Sequence, residues 1–407
     1  MGHLGELQSP PVAIANLGNL EMKKVLLGTT AVVGAGLLAS PAFAADGVKL
    51  GVGGYYNAAY MVVFDDDGEG ELGNERNTTG IFSDAEIHFT GSTVLDNGLE
   101  VGARVELEAE TEGDQIDEAW LWFSGGFGEI RIGSEDDALA GGCIVPPGGT
   151  GNFSAFSPNQ WGANNAAAFT TGVGALTSNT ICTGVDDKGD AQKIVYISPV
   201  FAGFQLSASY TPNGGDETHG DGVGAHTGMP ENADNESRNN FSAYLTYTYE
   251  GDGWGATFGG GGSWEGHAEK VPGPNREEQD FYQAGLNLSF GNFAIGGVFE
   301  YFNDLNNQGD IDASAWVAGG GISYSMDAWT VGAQYSHQDA DDDGTADSEF
   351  TMDRVVLTGD YAMGPGINID AMLGYTWVDT DPEFTVGGDD IDDYSAFEIG
   401  IGTRVRF

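Results

Sequence analysis

Basic residues are scarce. The 407-residue chain has 14 Lys and Arg against 62 Asp and Glu, a formal charge of −48. A nucleic-acid partner needs a positive stripe to meet phosphates, and this balance supplies none. Cysteine is scarcer still: Cys143 and Cys182 are the two in the chain, too few for a disulfide-built scaffold or a four-ligand zinc site. From residue 45 onward no twenty-residue apolar run occurs, which excludes a helical membrane span there. No long stretch repeats at the 3.6-residue helical period either. Enzyme signatures are also missing, with no G-x-S-x-G, H-E-x-x-H or P-loop. Of the 6 histidines only His88 falls mid-strand, near acids, where it reads as a polar wall residue rather than a general base. The expectation is a protein that is not an enzyme.

Glycine is what the chain has in excess, at 66 positions. Its 22 Phe, 15 Tyr and 8 Trp are too many for a disordered acidic polymer. Near the start, Lys23 and Lys24 precede an uncharged apolar stretch that ends in Pro41-Ala42-Phe43-Ala44. This is the layout of a secretory signal over 22–44, with cleavage after Ala44 and residues 1–21 as a mis-called upstream extension. A transmembrane helix over 25–44 is the alternative, but the segment is rich in Gly, Ala and Thr and has no basic flank after it. Removal of 1–44 takes two bases and two acids, so the charge stays at −48.

From 45 to 407 the recurring pattern is alternation at period two. Val48, Leu50, Val52, Tyr56 and Tyr60 oppose Lys49, Gly51, Gly53 and Asn57, and Ile369, Ala371, Leu373, Tyr375 and Trp377 oppose Asp370, Gly374 and Thr376. Short turns are expected near 94–98, 124–127, 199–203, 250–253, 290–292, 326–328 and 363–366. Longer, acidic or glycine-rich loops are expected near 65–80, 111–115, 134–190, 211–239, 266–278, 303–312, 338–350 and 379–393. Alternating short and long connectors join sixteen strands and leave both termini on the short-turn side, as in an all-β, antiparallel transmembrane β-barrel of the outer membrane. Tyr60, Tyr210, Tyr249, Trp254, Tyr301, Tyr324, Trp329, Tyr335 and Trp377 lie mostly at the ends of the apolar stripes, where aromatic girdles belong. A soluble β-sandwich explains the alternation, but not the signal or the asymmetry of the connectors.

The chain end sharpens the reading. In FEIGIGTRVRF, Phe397, Ile399, Ile401, Val405 and Phe407 share one parity, and Phe407 is terminal. This resembles the last strand of outer-membrane barrels, which their insertion machinery recognises. The run Gly125-Gly126-Phe127-Gly128-Glu129-Ile130-Arg131-Ile132-Gly133 resembles the Gly-Phe-Gly turn of Gram-negative general porins, particularly those of α-proteobacteria. Tyr196-Ile197-Ser198-Pro199 before Phe201-Ala202-Gly203-Phe204 resembles their Ser-Pro turn. The resemblance covers essentially all of 45–407. It implies a homotrimer of 16-stranded barrels in lipid and lipopolysaccharide, each with its own channel for small hydrophilic solutes, narrowed by an inward-folded third loop.

That loop would be 134–190, which follows the GFGEIRIG strand and is much longer than an ordinary connector. Trp120 and Trp122, on the polar parity of a strand apolar on both faces, need a cover, as do Val195 and Ile197 beside Lys193. A neighbouring subunit would serve equally well. Cys143 and Cys182 both lie in the loop, in a compartment that permits a bridge worth roughly 3–4 kcal/mol; two free thiols are the alternative. The loop offers Glu135, Asp136, Asp137, Asp186, Asp187 and Asp190 to the pore. The wall offers Arg104, Arg131, Lys193, Arg404 and Arg406, interleaved with Glu106, Glu108 and Glu129. With acids so far in excess, cations should be preferred, unless the excess stays on external loops. Asp339, Asp341, Asp343 and Asp347 fit the spacing of a Ca²⁺ loop, with Phe350 where the full template wants Glu. No cofactor is required. Gly51, Gly53, Gly102, Gly296, Gly319, Gly332 and Gly374 on the inner parity are expected to leave space in the lumen, against the rival of a plugged structural or adhesive barrel. A channel specific for one solute remains a third reading.

Overall fold

The computed structural model describes residues 47–65, 77–109, 116–156, 181–182, 191–213, 237–268, 278–303, 313–342, 348–380, 385–386, 389–390 and 393–407. The expected signal and upstream extension lie outside these residues, as do Asp186, Asp187, Asp190, Asp343 and Asp347.

Every regular element among the described residues is a strand: β1 (Lys49–Asp65), β2 (Thr79–Val94), β3 (Glu100–Glu108), β4 (Ala119–Gly125), β5 (Gly128–Ser134), β6 (Gln192–Ile197), β7 (Phe204–Asn213), β8 (Ser237–Gly251), β9 (Trp254–Trp264), β10 (His267–Ala268), β11 (Asp280–Phe290), β12 (Phe293–Asn303), β13 (Ala313–Met326), β14 (Trp329–Asp342), β15 (Ser348–Gly364), β16 (Ile367–Thr380), β17 (Thr385–Val386), β18 (Asp389–Asp390) and β19 (Asp393–Arg406). The short β10 pairs with β8, and β17 with β18. The other sixteen form one antiparallel sheet. It closes where β19 meets β1, from Tyr55 opposite Arg406 to Asp65 opposite Ala396. Gly54 and Phe407 extend the seam by exchanging both backbone hydrogen bonds, each 3.1 Å. Closure pairs the backbone of both end strands and leaves the sheet no open edge.

The seven short turns fall where the alternation places them. Several turn on a glycine in left-handed backbone, such as Gly253 at φ 84° and Gly366 at φ 72°. One loop is much shorter than expected. β14 runs to Asp342 and β15 starts at Ser348, so the connector expected over 338–350 shrinks to 343–347. Asp339 and Asp341 are thus ladder residues, opposite Trp316 and Ser314. Extended backbone does not wrap ligands around a turn as a Ca²⁺ loop does, which corrects the expectation for that half of the motif.

One face of the barrel is apolar and exposed, with Ile87, Leu121, Leu245, Leu286, Leu357 and Ile399 across its middle. Aromatic pairs border it. Near the short turns lie Tyr249–Trp254, Phe293–Tyr324 and Trp329–Tyr361, with ring centroids 4.5–4.7 Å apart. Near the loops lie Tyr210–Phe241 and Trp264–Tyr282. These are the two girdles of a membrane barrel. The opposite face is polar and largely buried.

Candidate functional site

What buries the inner face is the loop after β5. Its outbound arm follows the wall strand by strand, and wall side chains satisfy its backbone as buried peptide groups require. Ala138 N donates to Ser242 Oγ of β8 at 2.8 Å and to Ser209 Oγ of β7 at 3.1 Å. Gln283 of β11 donates to Ile144 O at 2.9 Å, and Asn287 donates to Val145 O. Gln334 of β14 donates to Pro146 O, and Thr358 of β15 donates to Gly148 O at 2.6 Å. Asp370 of β16 accepts from Thr150 Oγ1 (2.6 Å), Asn152 Nδ2 (2.8 Å) and Asn152 N (3.1 Å). The chain then returns. Ser336 Oγ donates to Ala155 O at 2.8 Å, and Cys182 N donates to Glu300 Oε2 of β12 at 2.6 Å. A disulfide joins Cys143 on the outbound arm to Cys182 on the return.

Three of the seven glycines expected to leave space, Gly296, Gly319 and Gly332, are instead seats of this loop, which corrects the expectation for them. A β-carbon at Gly296 would lie 2.8 Å from Pro147 Cδ, and one at Gly319 would lie 2.7 Å from Phe156 Cζ. One at Gly332 would run into the backbone of Gly148. Gly285, Gly400 and Gly402 likewise meet Ile144, Phe153 and Asn152. Gly102 receives the ring of Trp122, and Gly374 the Glu398 carboxylate. Of the seven named from sequence, Gly51 has the freest surroundings, with one backbone oxygen at 3.7 Å.

The wall of β2 to β5 is different. Arg104, Arg131 and Glu129 keep side-chain exposures of 30%, 32% and 27%, and Glu108 is half-buried. Arg104 and Arg131 both lie over the Trp120 ring, at 5.3 and 6.0 Å from its centroid, a cation–π arrangement that stiffens both guanidinium groups. Part of the cover expected for Trp120 is therefore arginine rather than loop. Arg131 pairs with Glu129 at 2.6 Å and with Glu135 at 2.9 Å, and Arg104 pairs with Glu106. Arg404 Nε donates to Asn57 Oδ1 at 2.9 Å and packs beside Gly151.

The expected row of loop carboxylates facing free wall cations needs correcting. Glu135 and Asp137 are 3% and 5% exposed. Asp137 turns to the wall, accepting from Ser263 Oγ at 2.7 Å and from the backbone N–H groups of Leu139 and Ala140. Lys193 is buried and donates to the Glu135 carbonyl. Glu106 is buried beneath Arg104. Carboxylates desolvated this far must find partners at once, so these four side chains fasten the loop root and the wall. Asp136 stays half-buried, its N–H donating to Glu118 Oε1 at 3.2 Å, and Arg406 is exposed at the end of β19.

Sequence reading missed Gln283, Gln334 and Asp370 as loop anchors. Amides and carboxylates placed mid-strand on the polar parity were a usable signal, because such groups do not stay buried without partners. The bridge carries a prediction. Replacing both cysteines by serine should cost about 4 kcal/mol of unfolding free energy, the chain-entropy value for a separation of 39 residues. Urea titration of folded protein in lipid checks it, and a loss under 1 kcal/mol would show that the wall seats alone hold the loop.

The sequence profile described as Gram-negative porin matches residues 28–381. A protein named monosaccharide porin from a Halomonas species is 24% identical over 384 residues, covering 80% of this chain and 98% of its own. The major outer membrane protein of Halomonas elongata matches to the same extent. Among solved structures, a loop-deletion mutant of OmpT, an outer membrane protein of Vibrio cholerae, superposes with a TM-score of 0.55 at 15% identity, covering 89% of this chain and 100% of its own. The anion-selective porin of Comamonas acidovorans superposes at 0.51 and 17% identity, covering 88% of this chain and all of its own. These structural likenesses are of fold. The profile match spans most of a closed sixteen-stranded barrel, and the chain belongs to the Gram-negative porin family.

Proposed function

We propose that the protein is a passive, water-filled channel of the outer membrane for ions and small hydrophilic solutes, with a modest preference for cations. The observation that carries this is the asymmetry of the interior. The loop arm 138–156 lies along β7 to β19, while the charged wall of β2 to β5 keeps solvent-exposed side chains. Solutes would pass between the two, sieved by width and by fixed charge. Sixteen strands enclose enough width for an aqueous channel. Cation preference rests on the charge of −48 and on inner-wall acids that keep part of their exposure, such as Asp84, Glu108, Glu129 and Asp360. The name of the Halomonas relative makes monosaccharides a natural test solute.

Export through the signal at 22–44 and assembly as a trimer belong to the same proposal. β4, β5 and β6 have 7, 7 and 6 residues. At about 3.3 Å per residue and a tilt near 45° they rise only about 16 Å, short of the apolar band of about 25 Å. Other copies of the chain would cover that low wall better than lipid. Planar-bilayer recording of the purified protein under a salt gradient tests the proposal. Conductance steps grouped in threes, with a cation-selective reversal potential, are expected. An anion-selective potential would refute the preference alone, and silence from correctly inserted protein would refute the channel.

A further inference from the structure

His88 sits in a network whose donors and acceptors fix the tautomer of its neutral ring. We propose that His88 is the positioning residue of Arg104 on the pore wall, and that protonation of its ring releases Arg104 and lowers the channel's preference for cations. The inference rests on the channel reading above.

Arg104 Nη2 lies 2.9 Å from His88 Nδ1. A guanidinium can only donate, so Nδ1 is the acceptor and carries no proton. The neutral ring then has its proton on Nε2, where Glu86 Oε2 accepts it at 2.6 Å, with Glu106 Oε2 3.4 Å away. Glu86 and Glu106 are 0% and 1% exposed, and Tyr55 OH donates to Glu86 Oε1 at 2.7 Å. Ligand atoms of Glu86, His88 and Glu106 all lie within 4.8 Å of one another. They do not offer a metal site in this arrangement, because the Nε2 lone pair is taken by the proton while Arg104 occupies Nδ1.

A second proton can go only to Nδ1. There it would set N–H against the guanidinium N–H, donor facing donor and cation facing cation. The groups around the ring are Tyr55 of β1, Asp84 and Glu86 of β2, and Arg104, Glu106 and Glu108 of β3. Arg104 is the one cation of this set. Its side chain is 30% exposed, with Trp120 to rest on, and its pairing with Glu106 would pass to the imidazolium, whose Nε2 lies 3.4 Å from Glu106 Oε2. The proton adds one positive charge to the wall, and the release of Arg104 carries its existing charge toward the lumen.

The test is the reversal potential of wild type and His88→Gln in a KCl gradient from pH 8 to pH 5. A glutamine can accept from Arg104 and donate to Glu86 at every pH. The wild-type cation-to-anion permeability ratio should fall about fourfold more than that of H88Q, because one unit charge about 10 Å from an ion in water disfavours a cation about twofold and favours an anion about twofold. Equal pH profiles in the two proteins, with conductance intact, would overturn the inference and leave the channel standing. A silent wild type would instead refute the channel. Nitrogen NMR of labelled histidine in detergent gives a second reading that needs no current. At pH 8 the His88 proton should be on Nε2, and finding it on Nδ1 would overturn the inference. Should H88Q fail to fold, which gel migration before and after heating would reveal, the NMR result decides alone.

Discussion

Replacing Gly332 by leucine should cut the single-channel conductance by about half or more while leaving the barrel closed. Gly332 faces inward from β14 beneath Gly148, and an added β-carbon would fall on the Gly148 backbone, with its carbonyl carbon 2.7 Å away. Carbon atoms need about 3.5–4.0 Å between centres, and backbone cannot rotate aside as a side chain can. Behind the substitution is the sheet, fixed by pairing to β13 and β15. The loop can therefore yield only toward the lumen, which narrows the passage. Overpacking of this kind costs about 1–3 kcal/mol, too little to unfold a barrel closed by sixteen strands. Gly359 on β15 is the control, because an added β-carbon there meets nothing within 4 Å. Unchanged conductance in Gly332→Leu, beside an unchanged Gly359→Leu, would mean that the loop does not bound the narrow part of the pore.

Gly332 also shows where sequence reading stops. Period-two alternation tells which face a residue occupies, because side chains alternate strictly across a strand. It therefore placed Gly332, Asn57 and Arg104 inside and Leu245 and Ile399 outside, as the burial of Asn57 and the exposure of the two apolar side chains show. Closure was legible too, since β1 and β19 both had to find partners. Alternation does not tell what stands in front of an inner face. An empty lumen and a loop pressed on the wall both favour glycine at 319 and 332, one for width and the other for contact.

Charge suffers from the same ambiguity. Glu135 and Asp137 follow β5 in the sequence as free acids would, but one bonds to Arg131 and the other to Ser263, on a strand more than a hundred residues away. Such partners are set by the curvature of the wall, which local sequence does not express. His88 was dismissed for a related reason. A histidine between acids is ordinary until its second nitrogen is seen to meet an arginine. The bridge between Cys143 and Cys182 was legible as a pairing, because the chain has no third cysteine. That it ties the outbound arm of the loop to the return was not.

Arg354→Met should lower the barrel's unfolding free energy by about 3–5 kcal/mol, a loss comparable with that expected on removing the disulfide. Arg354 of β15 and Glu398 of β19 are 1% and 0% exposed and pair at 2.7 Å across the intervening β16. Thr376 of β16 accepts a further hydrogen bond from Arg354 at 3.1 Å. Methionine fills much of the same volume, so packing changes little. What remains is a desolvated carboxylate that has lost its counter-charge, beside Gly374, where even a β-carbon would crowd it. Removing the acid as well, in Arg354→Met with Glu398→Leu, should recover most of the loss, because two apolar groups need no partner in a dry wall. The cycle is read by urea titration in lipid vesicles. If the double variant is as weak as Arg354→Met alone, the cost comes from lost packing rather than from a stranded charge. If it recovers, the pair is a matched set whose members are costly singly and dispensable together. β19 would then be held to the sheet by its backbone ladder and apolar face, and the buried ions would fix which strand it meets more than how tightly it is bound.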